Sequence, residues 1–441
     1  MANQPNPAPL PVEVTTIRKV RIRIIPFIFI LFVVAYLDRI NIGFAALTMN
    51  KDLGITGQQF GLVAGIFFFG YFLFEVPSNL MLHKIGAGVW IARILITWGI
   101  LATLTGFVHG VHQLYVIRFL LGLAEAGYYP GMLLYLTYWF RQREQAQSIA
   151  LLLTGLPVTS ILGAPLSGFI LDHAHWLGLA NWRWVLILEG FPAILCGVLV
   201  YFLLPSRPAE AKFLNTQEKL WLQSELQREE QQKLQQHELS AMQALAHGRV
   251  WYMACIHFGA LIGLYSLSFW VPQLLKTFSG KYSNSTVGLL VMIPHVVGLV
   301  AMVLVARSSD RRMERRYHGA VSIFLAGVAL LLMSATHSPF LLLVLLCFLA
   351  SGVYSYLAPF MSLPSEFLTG FAAAAGLALI NSIGNLSGFA GPYLIGFVSA
   401  RTGSLYLGFT LAGIPLIVSA ALLLLLPDKA SVPLAQQQQA A

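Results

Sequence analysis

The chain has 441 residues, 57% of them hydrophobic and only 10% charged, with a formal net charge of +9. That composition excludes an ordinary soluble domain and a disordered chain. The charge alone would admit a nucleic-acid binder, but the positions of the charges argue against one.

Residues 1–17, rich in Pro, Ala, Asn and Gln, read as a disordered cytoplasmic tail without the short apolar core and cleavage site of a signal peptide. Apolar blocks of roughly 20 residues follow, the length a helix needs to cross a bilayer core. Six fall at about 24–45, 60–81, 90–109, 113–137, 148–171 and 183–204. After a polar stretch at 205–249, six more fall at about 250–275, 286–306, 319–336, 339–361, 372–398 and 405–426. Barrel strands would be shorter and would alternate in polarity, which these blocks do not. The expectation is an all-α membrane protein whose twelve transmembrane helices form two six-helix bundles, 18–204 and 250–426. Residues 205–249 read as a cytoplasmic linker with a charged helix opened by Asn215-Thr216-Gln217-Glu218, an N-cap with an acid three residues on. Residues 427–441 read as a second cytoplasmic tail.

With the N-terminus inside, only Lys51, Arg183, Lys276, Lys281 and Arg401 of the 27 Lys and Arg residues fall in outside loops. The asymmetry obeys the positive-inside rule and puts both termini in the cytoplasm. Arg18, Lys19, Arg21 and Arg23, and the run Arg307 to Arg316, carry most of it and would touch anionic lipid headgroups. Cys196, Cys255 and Cys347 all lie within predicted spans and read as packing residues, not as a disulfide framework or metal site.

The halves look like diverged copies. Gly163-Ala164-Pro165-Leu166-Ser167-Gly168 in span five is matched six spans later by Gly391-Pro392-Tyr393-Leu394-Ile395-Gly396. Two six-span halves related about the membrane normal are the plan of a rocking secondary transporter. The pairs Gly61…Gly65 and Gly384…Gly388 would let helices approach closely.

Four charges interrupt apolar helices: Asp38 and Arg39 in span one, Arg118 and Glu125 in span four. At roughly 2.5–3.5 kcal/mol each, four unpaired charges would cost about 10–14 kcal/mol, so the default reading is a site facing a polar cavity. Arg118 and Glu125 stand seven residues apart, on one helix face. Asp38 and Arg39 cannot share a face and must look toward different partners. Arginine's planar fork suits a carboxylate, and carboxyls removed from water take up protons more readily than exposed ones. A structural ion-pair network locking spans one and four is the alternative. Glu75 could face the cavity or anchor a gate, whereas Glu189 and His295 read as packing residues. Asn381 and Asn385 in span eleven, and Tyr265, Trp270 and Gln273 in span seven, are candidates to line the second half of a cavity. The histidines lack metal-ligand spacing and no phosphate-binding Gly-Lys-Ser/Thr loop exists, so the chain is not read as an enzyme. Without ATPase machinery, concentrative transport would draw on an ion gradient.

Tyr36-Leu37-Asp38-Arg39-Ile40-Asn41-Ile42-Gly43, Gly70-Tyr71-Phe72-Leu73-Phe74-Glu75-Val76-Pro77-Ser78-Asn79 and Arg118 through Gly127 resemble motifs of the anion:cation symporter family, a branch of the major facilitator superfamily. Trp182-Arg183-Trp184, Leu188-Glu189-Gly190 and Ala378 through Leu386 fit it too, and the resemblance spans about 18–426. It is nearest to bacterial tartrate and related metabolite permeases. The resemblance implies proton-coupled import of a small organic anion, with no cofactor besides the proton gradient. It implies proton coupling by Asp38 and Glu125 and anion recognition by Arg39 and Arg118, with Tyr36, Tyr71 and Asn381 in the cavity. Asn385 and Tyr265 join the expected substrate-binding set on the residue reading. Two departures stand out: Leu156-Pro157 where sugar-acid members carry a Gln, and His83-Lys84-Ile85-Gly86 where the loop after span two usually has an acid and paired Arg. The expected protein is a monomer in the bacterial inner membrane whose partners are the anion, protons and lipid, with no nucleic acid. An efflux carrier or uniporter on the same fold, and a non-transporting anion sensor, remain alternatives.

Overall fold

The computed structural model describes residues 11–235, 241–278, 282–336, 338–364, 367–368 and 370–426, and the described residues form helices and no strands. The first half holds α1 (Pro11–Asp52), α2 (Gly57–Ile85), α3 (Ala87–Thr105), α4 (Val111–Glu125), α5 (Tyr128–Thr137), α6 (Gln142–Leu153), α7 (Gly155–His173) and α8 (Asn181–Leu203). The linker contributes α9 (Thr216–Gln235) and α10 (Ala241–Ala246). The second half holds α11 (Gly248–Phe278), α12 (Asn284–Arg312), α13 (Arg316–Leu331), α14 (Pro339–Ser362), α15 (Gly370–Asn385), α16 (Ser387–Thr402) and α17 (Leu405–Leu424).

Ten helical stretches are long and apolar enough to cross a membrane, α6 with α7 making one of them. The other two crossings are α4 with α5 and α15 with α16, each broken in mid-span. Twelve transmembrane segments result, in two six-helix bundles. Apolar side chains coat the exterior, as with Leu162, Val76 and Phe202, which are 60%, 65% and 76% exposed. Such a surface fits a hydrocarbon surround and not water.

In the first bundle α3 packs on α8, α2 on α4, and α1 on α7 and α8; in the second α13 packs on α14 and α17, and α11 on α15 and α17. Two seams join the bundles, α7 with α12 and α2 with α16. Both depend on missing side chains. A Cβ on Gly288 would collide with the Ala164 carbonyl, one on Gly61 would come within 2.6 Å of the Pro392 oxygen, and one on Gly65 within 2.9 Å of the Phe389 Cα. At the end of the molecule opposite the linker, the Asp172 carboxylate accepts the backbone N–H groups of Asn284 and Ser285 at 3.1 and 2.7 Å, closing the first seam. Trp270 and Gln273 make helix-to-helix bonds instead: the Trp270 indole donates to the Pro392 carbonyl of α16 at 3.1 Å, within the second bundle, and Gln273 accepts from Asn50 of α1 at 3.3 Å, across the bundles. Neither reaches the cavity expected of them, because both sit beyond the stripe of α11 that faces it.

At the linker end α1 begins at Pro11, inside the stretch expected to be disordered. Proline is well placed at a helix start, and Glu13 accepts from Arg141 at 3.0 Å and also pairs with Arg143, so the first turn is tied to the start of α6. The linker helix opens on the expected cap: Asn215 Oδ1 accepts the Glu218 N–H at 2.8 Å and Glu218 accepts the Asn215 N–H at 2.9 Å. Glu218 also pairs with Lys19 at 2.8 Å, and Leu222 is fully buried, so α9 is docked on the first bundle. Residues 1–10 of the expected tail 1–17, and all of the expected tail 427–441, lie outside the described residues.

Candidate functional site

A cavity lies between the bundles, and both halves of the chain contribute to it. From the first bundle come Tyr36 and Arg39 of α1, Tyr71 of α2 and Glu125 of α4. From the second come His257 and Tyr265 of α11 with Asn381 and Asn385 of α15. The rest of the wall is largely apolar and includes Phe32, Leu156, Leu261 and Met361.

Arg39 is the one arginine or lysine lining the cavity among the described residues. Its guanidinium donates to Glu125 Oε1 across the α1–α4 gap, and its Nε has no protein partner. Three rings surround it, with centres 5.3 Å (Phe67), 5.4 Å (Tyr71) and 5.8 Å (Tyr36) from its central carbon. Such rings favour a cation through their electron-rich faces while leaving its hydrogen bonds free. The break in span four places Glu125 here. It is the last residue of α4, and Gly127 (φ +83°) turns the chain in the left-handed region before α5 begins at Tyr128. Only glycine adopts that region without steric penalty. A Cβ at Gly127 would also strike the Ser78 hydroxyl.

Asp38 and Arg118 do not line the cavity, which corrects the expectation that all four charges face one site. Consecutive residues on a helix diverge by about 100°. With Arg39 facing the cavity, Asp38 therefore points into the first bundle, where it is 2% exposed and accepts from Asn41 at 3.2 Å. Arg118 is 1% exposed, donates its Nε to the Val63 carbonyl at 3.3 Å and lies 5.1 Å from the Phe67 ring. Phe67 is thus shared by both arginines, one on the cavity side and one in the interior. Gly122 allows this: a Cβ there would collide with the Phe67 carbonyl, so α4 could not lie so close to α2.

On the other wall Tyr265 donates to Asn385 Oδ1 at 2.7 Å, which orients the amide. Glu75 accepts from Ser382 at 2.5 Å, so it bridges the bundles and does not line the cavity. His295 meets the Tyr354 hydroxyl at 2.8 Å and is buried, the packing role expected of it. His257, Tyr128 and Tyr129 line the cavity and were not singled out from the sequence. A signal did exist: His257, Leu261 and Tyr265 recur every fourth residue on one stripe of α11, and the two tyrosines follow directly on the Glu125-Ala126-Gly127 break.

The sequence pattern of the Major Facilitator Superfamily matches residues 28–392. A protein of Agrobacterium vitis named "Putative tartrate transporter" is 46% identical over 94% of this chain and 92% of its own length. A protein of Pseudomonas putida named "Putative metabolite transport protein NicT" is 39% identical, covering 93% of this chain and 94% of its own length. A "Quinolone resistance transporter" of Acinetobacter baumannii is 38% identical, covering 90% and 91%. Among solved structures, a bacterial homologue of the human lysosomal transporter Spinster superposes with a TM-score of 0.72 at 16% identity, over 95% of this chain and 97% of that one. The xylose transporter XylE of E. coli also gives 0.72, at 14% identity, over 95% and 100%. The family match and these relatives define the class, a membrane transporter and not an enzyme. The chain belongs to the major facilitator superfamily.

Proposed function

We propose that the chain is a proton-coupled symporter that imports a small carboxylate, such as tartrate or a related organic anion, by alternating access. The observation that carries this reading is the Arg39–Glu125 pair in the cavity wall. A guanidinium held by a protein carboxylate is unavailable to a substrate carboxylate. Protonating Glu125 releases Arg39; the substrate anion then takes the place of the internal one, so the buried charge stays balanced. Losing the proton restores the internal pair and expels the anion. Proton and anion are coupled because one arginine serves both carboxylates. Tyr36 and Tyr71 flank the bound carboxylate, while Asn381, Asn385 and Tyr265 supply neutral hydrogen bonds to the rest of the molecule. Arg118 acts from behind Phe67, adding positive field without touching the substrate.

In this reading the linker end is cytoplasmic, by the excess of Lys and Arg there. The protein then sits as a monomer in the bacterial inner membrane with both termini inside, open to the cytoplasm when the Asp172 seam is closed. Tartrate uptake into proteoliposomes tests it. Accumulation should follow an inward proton gradient and collapse when a protonophore dissipates it; uptake indifferent to both pH and gradient refutes the mechanism. A second reading, export of an aromatic acid, draws on the apolar and aromatic cavity wall and on the name of the Acinetobacter relative. Inverted vesicles with a reversed pH gradient separate the two.

A further inference from the structure

His257 lines the cavity but takes no part in the exchange at Arg39. It lies on α11, is 1% exposed and is held from two sides. Its Nδ1 meets the Tyr356 hydroxyl of α14 at 3.2 Å. Its ring stacks on Phe360 of the same helix, with centres 5.0 Å apart and planes at 10°. Tyr356 and Phe360 are fully buried, so the imidazole is fixed in one plane. The other edge of the ring lies against α15, where Gly384 leaves room for it. A Cβ on Gly384 would collide with the ring at Cδ2 and lie 3.1 Å from Nε2. Nε2 itself has no partner among the described residues.

Gly384 stands directly before Asn385 and one turn after Asn381, and both asparagines line the cavity. Unspent polar groups therefore adjoin on the second-bundle wall: His257 Nε2, the Asn381 amide, and Asn385 Nδ2, whose companion Oδ1 is engaged by Tyr265. They form a neutral set, because His257 is paired with a hydroxyl and flanked by rings, not by an acid. The pairing also keeps the imidazole adaptable. With Tyr356 donating to Nδ1, Nε2 is an N–H donor; with Tyr356 accepting from Nδ1, Nε2 is an acceptor. Arg39 is the one arginine or lysine lining the cavity among the described residues, and it balances one carboxylate. A second carboxylate against the neutral wall would be a charge taken out of water without a counter-ion.

We propose that His257, with Asn381 and Asn385, is a neutral recognition pole that selects substrates carrying a single negative charge. The class is a monocarboxylate whose far end is a hydroxyl, an amide or a carboxyl that has kept its proton. A dicarboxylate such as tartrate is taken as its monoanion: the ionised carboxylate goes to Arg39, the protonated carboxyl donates to His257 Nε2, and its carbonyl oxygen accepts from Asn385 Nδ2. The inference rests on the reading of Arg39 as the anchor of the ionised carboxylate. It does not depend on what drives transport.

Isothermal titration of the purified full-length protein at one neutral pH tests this with three acids. Tartrate is doubly charged in solution there, tartaric acid monoamide keeps its far end neutral, and benzoate has no far polar group. The monoamide should bind at least tenfold more tightly than tartrate. His257→Leu should lower monoamide affinity about tenfold, the loss of one hydrogen bond, and leave benzoate within twofold. His257→Gln, whose amide takes the place of Nε2, should recover most of that loss. Gly384→Ala keeps every polar group but displaces the ring, so it should give the same selective loss as His257→Leu. The proposal is overturned if tartrate binds as tightly as the monoamide, as an imidazolium at His257 would make it, or if the monoamide does not bind. It is also overturned if His257→Leu weakens benzoate as much as the monoamide, the mark of a purely structural ring. The wild-type comparison decides even where a variant fails to fold. If the monoamide is preferred while tartrate uptake ignores the proton gradient, the symport reading fails and the recognition pole stands; the opposite pair of results removes the pole alone.

Discussion

The two bundles share a plan but not a chemistry. The first places Asp38, Arg39, Arg118, Glu125 and Glu189 in its interior or on its cavity face, and the second offers His257, Tyr265, Asn381 and Asn385. Charge is concentrated on one side of the cavity and neutral hydrogen bonding on the other. An ion pair in apolar surroundings needs its partners fixed, because desolvated charges tolerate little misplacement. The first bundle does so with short interhelical contacts such as Gly122 against Phe67. The second presents neutral groups that satisfy one another, as the Tyr265–Asn385 pair does. Under the proposed function the contrast becomes a division of labour: proton and anion exchange on the first bundle, and shape and hydrogen-bond selection on the second.

The contrast breaks most readily at Arg39. Arg39→Ala should lower tartrate binding about a hundredfold or more, since hydrogen bonds to charged groups contribute about 1.5–3 kcal/mol each and arginine supplies two. Isothermal titration of the purified protein measures this, and an affinity within threefold of wild type would remove the anion site from the first bundle. Arg118→Gln serves as the control, because Arg118 does not line the cavity. It should change affinity by less than the Arg39 substitution while destabilising the protein by about 1.5–3 kcal/mol, the range for a hydrogen bond from a charged group such as the one to the Val63 carbonyl. Thermal unfolding in detergent separates the two effects.

Gly122→Ala forces α4 away from α2 and should destabilise by about 1–3 kcal/mol, as overpacking does, with a matching fall in the melting midpoint. On the other side of the cavity, Tyr265→Phe removes one neutral hydrogen bond, worth about 0.5–1.5 kcal/mol, so tartrate affinity should fall tenfold or less. A loss as large as that of Arg39→Ala would show that the second bundle carries charge recognition too.

The smallest effect is expected at the linker. Partial burial pushes the Glu218 carboxyl up, but its hydrogen bonds from Lys19 and the Asn215 N–H outweigh this and hold it below the usual carboxylate range. Its contribution is therefore present above the ordinary carboxylate pKa of about 4.3 and is lost as pH falls through the lowered value. Lys19 is largely exposed, so the pair should contribute no more than about 1 kcal/mol. Glu218→Gln should flatten the acid limb of the melting curve slightly and leave the neutral plateau within a degree or two.

Much of the architecture was legible because a bilayer imposes a simple length rule. Twelve apolar blocks marked twelve crossings, and the capped start of α9 could be read from Asn215 and Glu218 alone. The site was legible in part: Tyr36, Arg39, Tyr71, Glu125, Tyr265, Asn381 and Asn385 do converge on one cavity. Asp38 and Arg118 were placed there because charge in an apolar run says that a partner exists, not on which side it lies. His257 escaped notice because one histidine in a long apolar helix has no local signature. Glu189 was read as a packing acid, and it is buried with Ser167 of α7 donating to it at 2.6 Å.

The sequence by itself determined the number of crossings, the six-and-six division and the residues that had to be paired. It could do so because hydrophobic length and unsatisfied charge are local properties of a chain in lipid. Only the tertiary structure decided which charges met. The rotation of α1 sent Arg39 to the cavity and Asp38 inward, and the Gly127 turn brought Glu125 to Arg39. Pairing of that kind depends on how helices distant in sequence are turned against one another, and no local pattern specifies it.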